Sequence, residues 1–296
     1  MTNRSGLEAN AEVGLNNPTQ HNVDLPGDAL ADVAVRLVTE SPAQTASDLT
    51  NFKLAGVIAR DAVESSHVGP FHRRLTRLGE AARLLFDNTI PHTEQVAPPS
   101  RLKSTGAIID YLAPQRRQRL VQQVLSLSDE QRQAEAMGLL KDKLSIFDAN
   151  DRTCLIDRAL SLFSSAEHSD DRIGGALLLV HGYDFLSNSH KSRILDRLRG
   201  EVTAGEIYWN VQDDYKNAQR QSSGLSSPGA ARSAVDHDDE LLKTEGAVRN
   251  LTAGGLVPAE RLDDVERASD ALAEEYRSLR HELYASVRVR ENSGRS

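Results

Sequence analysis

Apolar residues recur at intervals of three and four along most of this 296-residue chain. Leu30, Val33 and Leu37 show the spacing, which places side chains on one face of an α-helix. No segment shows the alternating, β-branched pattern of a strand. The pattern therefore predicts an all-α protein in which each helix buries one stripe of side chains. The longest stripe lies in 259–287 and contains Leu262, Val265, Ala268, Leu272, Tyr276, Leu279 and Leu283.

The composition narrows the classes of function. The net charge is −8, whereas chains that bind nucleic acid over a broad surface are usually basic, so we expect no nucleic-acid partner. No apolar run approaches the length of a membrane span, and no Sec-type signal peptide is expected at the N-terminus. The one cysteine, Cys154, excludes an internal disulfide and a multi-cysteine zinc site. We expect Cys154 to be a buried structural thiol beside Leu155.

Shifts in composition divide the chain into segments. The N-terminus is rich in Asn, Ser, Thr and Gly, three prolines interrupt 88–103, and 216–240 combines Ser and Gly with an acidic run. We predict a disordered leader at 1–23, a helical unit at 24–87, a linker at 88–103, a helical region at 104–215, a flexible loop region at 216–258, and a helix with a basic tail at 259–296.

A weak repeat runs through 104–200. Leu120-Val121, Leu155-Ile156 and Ile194-Leu195 open similar apolar stripes, 35 and then 39 residues apart (from 120 to 155 to 194). A second helix fits between successive copies. A helical pair at this period is typical of stacked hairpins, although the few copies fit an irregular helical bundle nearly as well.

A short motif opens the first helical unit. Leu25-Pro26 precedes apolar residues at helical spacing, a break at Ser41-Pro42, and a second helix anchored by Leu49 and Phe52. This order of features resembles an F-box, and in detail it resembles the VirF-type F-box effectors of agrobacteria and related rhizobia. The matching residues are Arg36-Leu37, Thr39, Pro42, Ala46, Asn51-Phe52, Arg60-Asp61-Ala62-Val63, Phe71, Arg74-Leu75, Leu78, Ala82 and Leu84-Leu85.

The resemblance implies an adaptor rather than an enzyme. An F-box effector docks on the Skp-type protein of a host SCF ubiquitin ligase and recruits a host target protein, while host enzymes perform the catalysis. Tethering raises the local concentration of the target. No catalytic residue, cofactor or metal is then expected, and the effector is secreted by a type IV or type III route into the host cytoplasm or nucleus. The residues expected to contact the Skp-type adaptor are Leu25, Pro26, Leu30, Val33, Leu37, Leu49 and Phe52.

Two other interpretations remain open. The residues of the first unit also fit an ordinary amphipathic hairpin whose apolar stripe is buried internally. The repeats fit a helical scaffold effector that binds a host protein without a link to a ubiquitin ligase. An enzyme within 104–296 has no catalytic constellation in its favour.

Two further groups are candidate sites. Tyr208, Trp209 and Tyr215 form the densest aromatic cluster and are either core anchors or a target-binding hot spot. Arg288, Arg290 and Arg295 lie in the basic tail and are either a secretion signal or a solvated helix end, since cations there also favour the helix dipole.

Three short patterns favour structural roles. We expect His237, within the acidic run 236–240, to lie in a solvated loop rather than in a metal site, because the spacing fits no calcium-binding loop. His181 is expected at a helix end or in the core. The residues Thr252-Ala253-Gly254-Gly255 are expected to form a turn.

Overall fold

The computed structural model describes residues 27–91, 99–165, 169–200 and 234–293. Within these ranges the chain consists of helices and contains no strand, so the prediction of an all-α protein is confirmed. The α-helices are α1 (Gly27–Arg36), α2 (Pro42–Leu54), α3 (Val57–Ser65), α4 (Val68–Thr89), α5 (Pro99–Ser104), α6 (Pro114–Leu125), α7 (Glu130–Leu139), α8 (Ala149–Ser165), α9 (Ser169–His181), α10 (Asn188–Gly200), α11 (Ala234–Thr252) and α12 (Leu262–Ser293). Short 3-10 helices lie at Gly106–Tyr111, Lys141–Ile146, Tyr183–Phe185 and Ala259–Arg261.

Polar side chains cap the starts of several helices. The Ser41 hydroxyl accepts a hydrogen bond from the backbone N–H of Gln44, and Pro42 occupies the first position of α2. Proline suits that position because its missing N–H would have had no helical partner. The second helix therefore begins directly at the Ser41-Pro42 break, and its anchors Leu49 and Phe52 lie in its second half. Asp129 caps α7 in the same way through the N–H of Arg132.

One hydrophobic core joins residues from Ala34 to Leu283. Helix α4 lies at its centre and packs against α2, α3, α11 and α12. The first helical unit and the last helix therefore share a core, so they are not separate modules. The predicted linker at 88–103 is part helix, because α4 continues to Thr89 and α5 occupies 99–104, while 92–98 lie outside the described residues.

The prediction of a flexible loop at 216–258 is wrong over 234–252, which form α11. Its buried positions are Leu241, Thr244, Val248 and Leu251, a helical spacing that faces the shared core. The acidic run before Leu241 concealed this stripe, because charged residues there are also typical of the solvated start of a helix. The rest of the predicted loop at 216–233 and the leader at 1–23 lie outside the described residues.

The central helices pack closely through small residues. The first two apolar pairs of the predicted repeat, Leu120-Val121 and Leu155-Ile156, are buried, and Ile194 of the third pair is half-buried against the core. Helix α9 packs against both α7 and α8. A Cβ atom at Gly174 would lie 1.8 Å from the carbonyl oxygen of Ala134 on α7, and one at Gly175 would lie 2.9 Å from that of Ala159 on α8. The two glycines thus let α9 approach both neighbours.

Candidate partner-binding surface

Helices α1, α2 and α3 form a unit at one end of the molecule, with α3 packed against both α1 and α2. Their inward side chains join the shared core, among them Ala34, Leu49 and Val63, each 0% exposed. Three short helices have limited apolar area to bury, so their remaining apolar side chains face outward unless something covers them.

Four large apolar side chains of this unit are exposed. Leu54 is 79% exposed at the end of α2, Val57 and Ile58 are 61% and 55% exposed at the start of α3, and Val33 on α1 is 40% exposed. Only five other large apolar residues are this exposed among the described parts of the chain. We call Val33, Leu54, Val57 and Ile58 the docking surface, a name for the four exposed apolar side chains that this unit carries. Exposed apolar side chains grouped on one small unit make it the candidate for a partner-binding site.

The residues that the F-box resemblance implies as adaptor contacts differ in their exposure. Val33 lies in the docking surface, and Leu30 beside it on α1 is half-buried. Leu37 and Phe52 are half-buried against the core. Leu49 is fully buried in that core and offers no surface to a partner, so its expected contact is corrected to a packing role. Leu25 and Pro26 lie outside the described residues.

The sequence pattern missed Leu54, Val57 and Ile58 as surface residues. Their spacing continues the stripe of α2, which predicts that they are buried. The helix ends at Leu54, however, and α3 begins at Val57 after an extended Gly56. The break changes the phase of the helical stripe, so that Ala59, Ala62 and Val63 face inward instead. The signal in the sequence is the Ala55-Gly56 pair.

An ion pair joins α2 to α3, and a histidine of α4 lies against α2. Lys53 on α2 pairs with Glu64 on α3 at 2.9 Å, and its hydrogen bond to that carboxylate lowers the pKa of Glu64. His72 on α4 lies 3.4 Å from the Thr50 hydroxyl. Burial lowers the pKa of His72, and the positive charges of Lys53 and Arg73 lower it further.

A second exposed apolar group lies on the central helices. Val180, Tyr183 and Phe185, at the end of α9 and in the 3-10 helix after it, are 46%, 54% and 41% exposed. The Lys191 ammonium lies 4.4 Å from the centre of the Tyr183 ring, and the Arg152 guanidinium lies 4.6 Å from that of Phe185. These cation–π contacts hold both rings at the surface. We call Val180, Tyr183 and Phe185 the aromatic surface.

The other sequence candidates have different outcomes. Tyr208, Trp209, Tyr215 and Arg295 lie outside the described residues. Arg288 is exposed near the end of α12, and Arg290 lies in the same helix. Cys154 is exposed, so the prediction of a buried thiol is wrong. The reason is its position one residue before the buried Leu155, which turns it toward solvent on α8.

The structure describes all three of the short patterns that were expected to have structural roles. His181 is the last residue of α9, where its Nδ1 lies 2.7 Å from an Asp142 carboxylate oxygen. Thr252 and Gly255 form the expected turn, in which the Gly255 N–H bonds to the Thr252 carbonyl at a positive φ of 85°. His237 lies in α11 rather than in a loop.

Neither a metal centre nor a membrane span is evident in what the structure describes. No group of three or more His, Cys, Asp or Glu side chains is arranged to hold a metal ion in residues 27–91, 99–165, 169–200 and 234–293. Across the same ranges, every helix is too short or too polar to cross a membrane. The features that stand out are therefore the two exposed surfaces.

A stretch of 80 residues, 25% of this chain, is 34% identical to Virulence protein F of Agrobacterium tumefaciens (strain 15955). The match spans 40% of the length of that protein. No protein-family model matches the chain, and no solved structure matches it. A quarter of this helical protein is thus similar to a virulence protein of Agrobacterium.

Proposed function

We propose that the chain is a secreted virulence effector that acts as an F-box adaptor. Its α1–α3 unit docks on a host Skp-type protein of an SCF ubiquitin ligase, and the rest of the molecule recruits a host target protein for ubiquitination. The observation that carries the proposal is the docking surface, four exposed apolar side chains on the unit that resembles an F-box. The partial similarity to Virulence protein F supports it.

The proposed role makes the chain a non-enzymatic subunit. The docking surface contains only aliphatic side chains, which can supply buried apolar area to an interface but no chemistry. Catalysis belongs to the host ubiquitin machinery, and no cofactor is required. The aromatic surface lies on other helices, so the protein can bind the adaptor and a target at the same time. Tyrosine and arginine are frequent in binding hot spots, which favours this surface for the target.

The proposal also includes a location. The effector is made in the bacterium, secreted by a type IV or type III route, and acts in the host cytoplasm or nucleus. Arg288, Arg290 and Arg295 near the C-terminus are the proposed secretion signal.

The test measures binding of the purified full-length chain to a purified plant Skp-type adaptor. The informative variant is Leu54→Ser/Ile58→Ser, and the matched control is Leu242→Ser/Leu256→Ser, which changes two leucines that are 55% and 51% exposed elsewhere. A hot-spot residue contributes roughly 2 kcal/mol or more, which corresponds to about 30-fold in affinity. The first variant should therefore weaken binding by about 30-fold or more even if only one of its two residues is a hot spot. The control should bind as the wild type does. Absence of binding by the wild-type chain would overturn the proposal.

A scaffold effector without a ubiquitin-ligase link is the second candidate. The aromatic surface favours it, because this surface needs no F-box-like unit to engage a host protein. Under this alternative, Tyr183→Ala/Phe185→Ala abolishes the effect of the protein in the host cell, whereas Leu54→Ser/Ile58→Ser leaves it unchanged. The adaptor proposal expects both variants to lose the effect.

A further inference from the structure

The last helix holds the segment that connects α1 to α2. Tyr276, Arg280 and Tyr284 follow one face of α12 at intervals of four residues. The Tyr276 hydroxyl donates to the Thr39 carbonyl (2.7 Å), and the Tyr284 hydroxyl donates to the Val38 carbonyl (3.0 Å). Residues that are 237 and 246 positions apart in the sequence are thereby joined. We call these three residues of α12 the clamp.

Thr39 in the segment and Thr45 in the first turn of α2 complete the same network. The Thr45 hydroxyl accepts the Thr39 N–H at 2.9 Å and lies 3.0 Å from the Tyr276 hydroxyl. Thr45 is 0% exposed and Tyr276 is 3% exposed. A buried hydroxyl or carbonyl without a hydrogen-bond partner is costly, so this network favours one arrangement of the segment.

The clamp residues also contact the core and one another. The Tyr276 ring lies 6.4 Å from the Phe71 ring and 6.1 Å from the Tyr111 ring, measured between centroids. Burial raises the pKa of Tyr276 to about 12. The Arg280 guanidinium lies 5.9 Å from the ring centres of both clamp tyrosines and binds the Glu40 carboxylate.

The docking surface depends on this connection. Val33 belongs to α1, whereas Leu54 ends α2, so a partner that contacts both side chains requires the two helices to keep their relative positions. Helix α1 has 10 residues and α2 has 13. Isolated helices of about this length are marginal in water, so their arrangement needs tertiary contacts.

We propose that Tyr276 and Tyr284 are positioning residues for adaptor docking. They hold the α1–α2 segment in the arrangement that a partner binds, so the affinity of the N-terminal docking surface depends on the C-terminal helix. The link to docking rests on the proposed function. When only a fraction of the molecules has the binding-competent arrangement, the apparent affinity is the intrinsic affinity multiplied by that fraction. Loss of the clamp therefore weakens docking although the clamp does not contact the partner.

The test compares hydroxyl deletions, and the clamp variant keeps both aromatic rings. The variant is Tyr276→Phe/Tyr284→Phe in the full-length chain. The control is Ser269→Ala, which removes another buried hydroxyl of α12, one that donates to the Ser104 carbonyl (2.8 Å). The readouts are amide hydrogen exchange at Val38, Thr39, Ser41 and Thr45, the affinity for a plant Skp-type adaptor, and the melting temperature.

The clamp variant should exchange these amides about tenfold faster and bind the adaptor several-fold more weakly. Ser269→Ala should lower the melting temperature without either local effect. Equal exchange in the wild type and the clamp variant, or the same acceleration in both variants, would overturn the inference. If the wild type does not bind the adaptor, the proposed function fails, and hydrogen exchange alone decides whether the clamp positions the segment.

Discussion

Asp87 on α4 is the residue that joins the first half of the molecule to the central helices through charge. Its carboxylate binds Arg116 at 2.7 Å and Arg119 at 2.8 Å, both on α6, and lies 3.5 Å from Arg83 on its own helix. Burial acts to raise the pKa of Asp87, but the hydrogen bonds from Arg116 and Arg119 outweigh burial and lower it. Arg116 and Arg119 of α6 therefore have a structural role.

The pKa of Asp87 makes stability depend on pH. Because the pKa in the folded state is below its usual value of 3.8, the carboxylate stabilises the fold above about pH 4, and this contribution is lost as pH falls through the folded-state pKa. Asp87→Asn should lower the free energy of unfolding at pH 7 by about 1–3 kcal/mol and reduce the loss of stability between pH 5 and pH 3. Urea unfolding at three pH values measures both effects.

Asp264→Asn is the control for that experiment. Asp264 in the first turn of α12 binds Arg261, which precedes the helix, and Arg267, each three residues away at the surface. Exposed pairs of this kind contribute little, so its unfolding profile should follow the wild type. An Asp87→Asn variant that is as stable as the wild type at pH 7, with the same acid sensitivity, would contradict this role for Asp87.

At the scale of the elements, close packing of α9 depends on Gly174. A methyl group there would lie 1.8 Å from the backbone oxygen of Ala134, and a backbone atom cannot rotate away as a flexible side chain can. Gly174→Ala should therefore destabilise the protein by about 1–3 kcal/mol or more, through displacement of α9 from α7. Chemical denaturation measures the change.

Gly79 and Gly246 provide the opposite control. Both lie inside helices, α4 and α11, and a methyl group at either position would meet no atom within 4 Å. Gly→Ala at these sites should stabilise the protein by about 0.5–1 kcal/mol, because alanine loses less backbone entropy in a helix than glycine does. If Gly→Ala changes the free energy of unfolding equally at all three glycines, close packing of Gly174 against α7 does not explain the effect of Gly174→Ala.

The elements show how far the sequence pattern can predict this fold. The regular stripes of α4, α8 and α12 predict helices that the structure confirms. α11 was missed because an acidic run precedes its stripe. The docking surface was predicted only in part, since the phase change at Ala55-Gly56 exposes Leu54, Val57 and Ile58 and no local rule fixes which face turns outward after such a break.

At the scale of the whole molecule, the C-terminal helices complete the N-terminal unit. Arg74 on α4 binds Glu282 on α12 at 3.0 Å, and Arg77 on α4 binds Glu245 on α11 through two hydrogen bonds of 2.8 and 2.9 Å. The clamp adds the α1–α2 segment to the same assembly. Periodicity reports only which face of each helix is apolar, so pairings between residues more than 160 positions apart were beyond prediction from the pattern.

The two exposed surfaces lie on different sets of helices that share one core. The docking surface lies on α1–α3, and the aromatic surface lies at the junction of α9 and α10. An adaptor needs such a separation, since a target bound at one surface must leave the other free for the ubiquitin ligase. A single surface that binds both partners in turn would not bring the target to the ligase.

Hydrogen–deuterium exchange of the full-length chain, alone and with a plant Skp-type adaptor, tests the central claim most directly. Burial of the docking surface should slow amide exchange in residues 30–62, which contain Val33, Leu54, Val57 and Ile58, and should leave Val180–Lys191 at the aromatic surface unchanged. Protection at the aromatic surface with none in residues 30–62 would contradict the assignment of α1–α3 as the site that docks on the adaptor.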